Sequence, residues 1–138
     1  MKQEKINLTP EEQLQVAIDK AKKKFGKVYK TIIADEAIIW RKLKRSEYKE
    51  IMNLVVYDEE QQFDENGNPL LDEFGNIVVE VTENQDATYD LRQEEIARAV
   101  IIYPSGSIVE DMAAVADIIS TECMIKSGFG KDPKTEEC

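Results

Sequence analysis

From Glu50 to Leu91 the chain carries 12 acidic residues and not one Lys or Arg. Helical periodicity is missing between Asp58 and Asp90, and two turn signals follow one another, Asp64-Glu65-Asn66-Gly67-Asn68-Pro69 and Asp72-Glu73-Phe74-Gly75-Asn76. Asn66-Gly67 favours a type I′ hairpin turn, because both central residues of that turn need positive φ. Ile77 to Val81 reads as a strand. Residues 58–90 are therefore expected to be an acidic insertion, a protruding β-ribbon or loop, and the core has to come from the segments on either side.

Those flanks carry helix punctuation. Thr9, Pro10 and Glu12 form a capping box with proline at the first helical position, opening a helix that runs to about Phe25 and stops at Gly26. Leu14, Ala17, Ile18, Ala21 and Phe25 form its apolar stripe. Two β-prone runs, Val28 to Ile33 and Ala37 to Leu43, predict a hairpin around Asp35 and Glu36. Ser46 is the expected cap of a second, short helix ending near Tyr57, with Glu47 in its first turn and Tyr48, Ile51, Met52 and Val55 on one face. Asp90 with Gln93 opens a third helix presenting Leu91, Ile96, Ala97 and Val100, and Ala99 to Tyr103 fits helix or strand equally. Pro104 ends that element. Ser107 with Glu110 caps a last helix, carrying Ile108, Met112, Ala113, Val115, Ala116, Ile119 and Cys123 and stopping at Gly128. At 138 residues and 42% hydrophobic content, the expectation is one α+β domain over 1–138. It is a small helical domain with a short β-hairpin, the ribbon at 58–90, and a polar tail at 131–138 that frays.

Charge is partitioned along this plan. Lys20 to Lys49 holds 11 basic and 3 acidic residues, the reverse of the segment that follows. The plain reading is a basic and an acidic half lying near one another in the fold. Net charge is −10 with a pI near 4.6, which disfavours nucleic acid and anionic lipid, because both are held by Lys and Arg. The alternative is a local nucleic-acid patch of Lys22, Lys23, Lys24, Lys27, Lys30, Arg41, Lys42, Lys44 and Arg45, with Tyr29 or Trp40 to stack on bases. Trp40 is otherwise a core anchor. No apolar run approaches the roughly 18 residues that cross a bilayer, and the polar stretch Met1 to Asn7 has no signal-peptide character, so a cytoplasmic protein is expected. Cys123 and Cys138 read as reduced thiols, not as a disulfide framework.

The chemistry of catalysis is thin. The sequence contains no His, the commonest general base and transition-metal ligand, and has neither a P-loop nor a dinucleotide-binding glycine turn. No enzyme activity and no cofactor are expected. Glu59-Glu60, Asp72-Glu73 and Glu94-Glu95 are adjacent carboxylates whose side chains diverge, and they read as solvated charges. The run from Asp64 has EF-hand spacing at Asp64, Asn66 and Asn68 but places Pro69 where the glycine belongs and Gly75 where the bidentate glutamate belongs.

The run Trp40-Arg41-Lys42-Leu43-Lys44-Arg45-Ser46-Glu47-Tyr48, with Glu95-Ile96-Ala97-Arg98-Ala99-Val100-Ile101-Ile102-Tyr103-Pro104 and the ending Ser127-Gly128-Phe129, resembles the tail assembly chaperones of contractile-tailed bacteriophages. The resemblance covers about Glu36 to Gly130. It implies a protein of the infected host's cytoplasm that binds the phage tape-measure protein, keeps its apolar helices from aggregating and helps recruit tail tube subunits. The acidic insertion and the Lys-rich first helix depart from that pattern. They fit instead a structural subunit of the particle, such as a baseplate or connector component of the virion, or an accessory protein using the basic 20–49 segment. For a helical client the expected protein-binding face is Val109, Met112, Ala113 and Ala116, where small residues admit a helix and methionine repacks. The same stripe also fits a core role.

Overall fold

A computed structural model describes residues 8–129 and 135–137. The chain begins with α1 (Pro10–Phe25), whose start is built as the capping box requires. Thr9 Oγ1 accepts the Glu12 N–H at 3.2 Å, and Gly26, at φ 78°, closes the far end by donating to the Lys22 carbonyl at 2.9 Å. The hairpin that follows pairs β1 (Tyr29–Ile33) with β2 (Glu36–Trp40), Ile33 opposite Glu36. Its two-residue turn is Ala34-Asp35, one residue earlier than the sequence reading placed it, and both residues sit at positive φ, as a type I′ turn demands. β5 (Ile101–Tyr103) joins the other edge of β2, giving a three-stranded antiparallel sheet in the order β1-β2-β5. The run Ala99 to Tyr103 is thus resolved as the end of a helix followed by a strand.

The middle strand is covered on both sides. Ile38 and Trp40 enter the main core with Ile96, Ala97 and Val100 from α3 (Gln85–Val100) and Val115, Ile119 and Cys123 from α5 (Ala113–Lys126). Ile39, pointing the opposite way as strand alternation requires, is buried on the side where α1 packs over β2 and β5, and Ala21 of α1 is buried there too. Leu14, Ala17, Ile18 and Phe25 are only half covered, so α1 is the lightly held outer layer.

Several boundaries differ from the sequence reading. The second helix, α2 (Arg45–Met52), is capped at Lys44 instead of Ser46 and ends at Met52 instead of Tyr57, because its position is set by Glu47: that carboxylate accepts the Lys44 N–H at 3.0 Å while gripping Arg41. Val55 and Val56 lie outside it. α3 begins before the Asp90-Gln93 pair. Asn84 is the cap, its side chain accepting the Ala87 N–H at 2.9 Å, and Thr88, 2% exposed, accepts the Val56 N–H at 2.9 Å. The last helix is broken. α4 (Ile108–Asp111) and α5 are separated by extended backbone at Met112, and Ser107 has helical angles and makes no cap; its hydroxyl lies 2.6 Å from that of Ser105. The break turns Ile108 and Val109 into the same core as Val115 and Ile119.

The acidic segment forms a separate two-stranded sheet of β3 (Tyr57–Gln61) and β4 (Val79–Glu83), with all ten residues exposed. Beyond it, 63–70 and 71–78 are two copies of one eight-residue unit. In each, an aspartate carboxylate accepts two backbone N–H groups: Asp64 from Asn66 and Asn68, Asp72 from Phe74 and Asn76, at 2.9 to 3.0 Å. The ribbon ends at Glu83, not Asp90. The tail at 131–138 lies largely outside the described residues; 135–137 are exposed and without regular structure.

Because Tyr57 and Glu83 are paired across the ribbon's base, a two-residue Asn-Gly turn can replace 58–82. The shortened chain is expected to unfold cooperatively, within about 1 kcal/mol of the full chain in urea denaturation; loss of the cooperative transition places the ribbon in the folding core.

Candidate protein-binding groove

α3 and α5 pack side by side but leave a groove of about 400 Å³ along their outer junction. α3 contributes Tyr89, Arg92, Gln93 and Ile96, one stripe at helical spacing, and α5 contributes Met124 and Ile125. Met52, the last residue of α2, closes one wall and Phe129 closes another. Phe129 is held by the way α5 stops. Gly128, at φ 97°, donates to Ile125 O at 3.0 Å and Phe129 donates to Met124 O at 2.9 Å, the paired bonds of a Schellman ending, which folds Phe129 back toward Met124. Its ring stacks on Tyr48 of α2 at 4.5 Å.

The lining is mostly apolar, and three of its polar members, Arg92, Ser120 and Gln93, are occupied. Arg92 donates to Met52 O at 2.8 Å and Leu54 O at 3.0 Å, so the guanidinium holds the carbonyl end of α2 and forms a wall. Ser120 is buried and donates to Asp117 O at 3.2 Å. Gln93 donates to the Tyr89 hydroxyl at 2.6 Å. Tyr89 (61% exposed), Phe129 (53%) and Ile125 (38%) stand open to solvent. Two flexible thioethers, Met52 and Met124, give a floor that can adapt to differently shaped apolar surfaces.

The residues expected to bind a partner do not make one surface. Val109 and Ala116 are core, Met112 packs against that core at the helix break, and Ala113 alone is exposed. The bend at Met112 is the reason: the four lie on the short α4, the start of α5 and the joint between them. Sequence reading missed the groove because its two sides are far apart in the chain. The Met-containing stripe of α5 and the terminal Phe129 were its visible signals.

Trp40 is 1% exposed, donates to Thr31 Oγ1 at 2.9 Å and stacks on Tyr29 at 4.7 Å, so its ring offers no face to a base. Lys22, Lys23, Lys24, Lys27 and Lys30 are exposed, as are Lys42, Lys44 and Arg45. Among the described residues, none of the cations from 20 to 49 forms a salt bridge with an acid of the 50–91 segment. Asp64 and Asp72 spend their carboxylates on their own turns, and Glu94 and Glu95 lie 3.7 and 3.0 Å from Arg98. Among the described residues no group of three His, Cys, Asp or Glu is placed to hold a metal, and no helix is long and apolar enough to cross a membrane. Cys123 is a buried free thiol, and burial pushes its pKa up, away from nucleophilic thiolate. Cys138 lies outside the described residues.

One charged constellation does fix the groove. Arg41 grips Glu47 with both arms of its guanidinium, at 2.7 and 2.8 Å, and also donates to Ala99 O at 2.7 Å. The Arg41 hydrogen bond, followed by the Lys44 N–H, holds the Glu47 carboxyl below the usual carboxylate range against an opposing effect of burial.

Fold and site together define a small α+β domain with an apolar, methionine-containing interhelical groove. No protein-family profile, curated protein or solved structure matches the chain.

Glu47→Gln is expected to cost about 2 kcal/mol in urea denaturation at neutral pH, because it leaves a largely buried guanidinium without its anion. A depressed carboxyl stabilises the fold above its unfolded pKa and loses that contribution as pH falls through the folded value. The gap between wild type and variant should therefore close at acidic pH; a gap independent of pH refutes the ion pair's role.

Proposed function

We propose that this chain is a non-enzymatic phage tail morphogenesis protein that binds an amphipathic helix of the tape-measure protein in the α3–α5 groove and assists tail tube assembly in the host cytoplasm. The observation that carries this reading is the groove: an apolar, interhelical trough with two methionines and open aromatic ends has the chemistry of a helix-in-groove site. The resemblance to tail assembly chaperones supports it from a second side. Two of the segments that carry that resemblance meet at the groove wall, where Tyr48 of the Trp40–Tyr48 run stacks on Phe129 of the Ser127-Gly128-Phe129 ending. The function requires no catalytic group, in keeping with a sequence that has no histidine.

A structural subunit of the particle is the second reading. It is favoured by the ribbon, whose tip exposes Phe74 at 83%. Mass spectrometry of purified virions separates the two, since a chaperone is absent from finished particles and a subunit is present at fixed stoichiometry.

Ile125→Glu tests the groove directly. The residue is on the surface, so the melting temperature should change little, while affinity for a co-expressed tape-measure fragment should fall roughly tenfold or more and the client should lose solubility. A folded Ile125→Glu protein that solubilises the client as well as wild type removes the groove from the interface.

A further inference from the structure

Among the described residues, the ribbon and the Lys-rich end of α1 are each left without a charged partner from the other. Across β3 and β4, Glu60 stands directly opposite Glu80, with Asp58 on the same face. Like charges in that position are destabilising unless a cation is supplied. Among the described residues none is: Glu80 receives only the Gln62 amide at 3.3 Å and Asp58 only the Asn84 amide at 3.0 Å. The other face alternates Tyr57, Val79 and Val81 with Glu59 and Glu83, all exposed.

The basic surface has the matching composition. α1 packs over β2 and β5, and β1 is the sheet's outer strand. Lys30 and Ile32 point to the face on which α1 lies, as their partners Ile39 and Ala37 show, yet Ile32 is 64% exposed. Lys30 stands on this shelf, and Lys22, Lys23 and Lys24 at the end of α1 are exposed; none of the four is paired with an acid of the described residues.

We propose that the acidic ribbon of one copy docks on the α1–β1 shelf of a second copy, with Val79 and Val81 against Ile32 and with Glu59 and Glu83, the carboxylates on the valine face, against Lys30. Charge complementarity selects the occupant: the two surfaces belong to the same chain, are present in equal number, and among the described residues are not paired with each other. This surface is distinct from the α3–α5 groove and does not rest on the client reading. Each copy both gives and receives a ribbon, so the contact closes into a dimer or ring, or runs on as a chain.

Sedimentation velocity of the full chain tests it. At about 50 mM salt the protein should self-associate, and at about 500 mM, where exposed charges are screened, the association should weaken roughly tenfold or more. Two charge reversals, Lys30→Glu and Glu59→Lys/Glu83→Lys, should each be folded by circular dichroism and monomeric alone, because each then sets like charges against each other across the contact. Mixed in equal amounts they should associate again, since each ribbon finds an opposite shelf. A wild-type monomer at low salt overturns the proposal. So does self-association that survives in both variants, or a mixture of two folded monomeric variants that stays monomeric.

Discussion

Arg41 is the residue on which the arrangement turns. Its guanidinium grips Glu47 at the start of α2, donates to Ala99 O at the end of α3 and lies 5.3 Å from the Phe25 ring at the end of α1. Its own backbone donates to Val100 O at 3.0 Å and its carbonyl lies 3.9 Å from the Cys123 thiol of α5. Four helices are thereby referred to one residue just past the central strand, three of them through its side chain. An ion pair this well enclosed contributes geometry as much as energy, because the desolvation of both charges offsets much of their attraction. The gain is register: α2 starts where Glu47 can reach Arg41, and that puts Tyr48 under Phe129 and Met52 against the groove.

The groove follows from this placement. α3 and α5 alone would make a ridge-in-groove pair with a shallow outer seam; α2, drawn in by Glu47 and held at its carbonyl end by Arg92, raises one wall, and the Schellman ending of α5 raises the other. The runs Trp40–Tyr48 and Ser127–Phe129 thus have structural work here. Trp40 anchors the sheet, Arg41 and Glu47 join the helices, and Tyr48 and Phe129 shape the groove.

The α+β class, the first helix, the hairpin and the ribbon were legible because each is specified locally, by a capping box, by strand alternation or by turn residues. What was illegible depended on distant partners. Ser46 looked like a cap, but Glu47 answers to Arg41 and shifts the helix start to Lys44. Asn84 caps α3 while Thr88 answers to Val56, a contact between segments on either side of the ribbon. The stripe from Ile108 to Cys123 reads as one helix because a bend at Met112 that serves packing leaves the periodicity of the apolar residues nearly intact. The groove was hidden for the same reason, since α3 and α5 show their stripes separately and nothing local says which side of each is left open.

The pairing of Tyr57 with Glu83 at the ribbon's base makes its stem a length gauge. Strand residues advance about 3.4 Å each and alternate faces, so adding one residue to both strands turns the tip over, whereas adding two to both carries it outward by about 7 Å with its orientation kept. The twin turn units beyond the stem close their hydrogen bonds on their own aspartates and travel as a finished head. The distance between the domain and whatever the tip reaches can therefore be reset in discrete steps by small duplications, without a single change to the core.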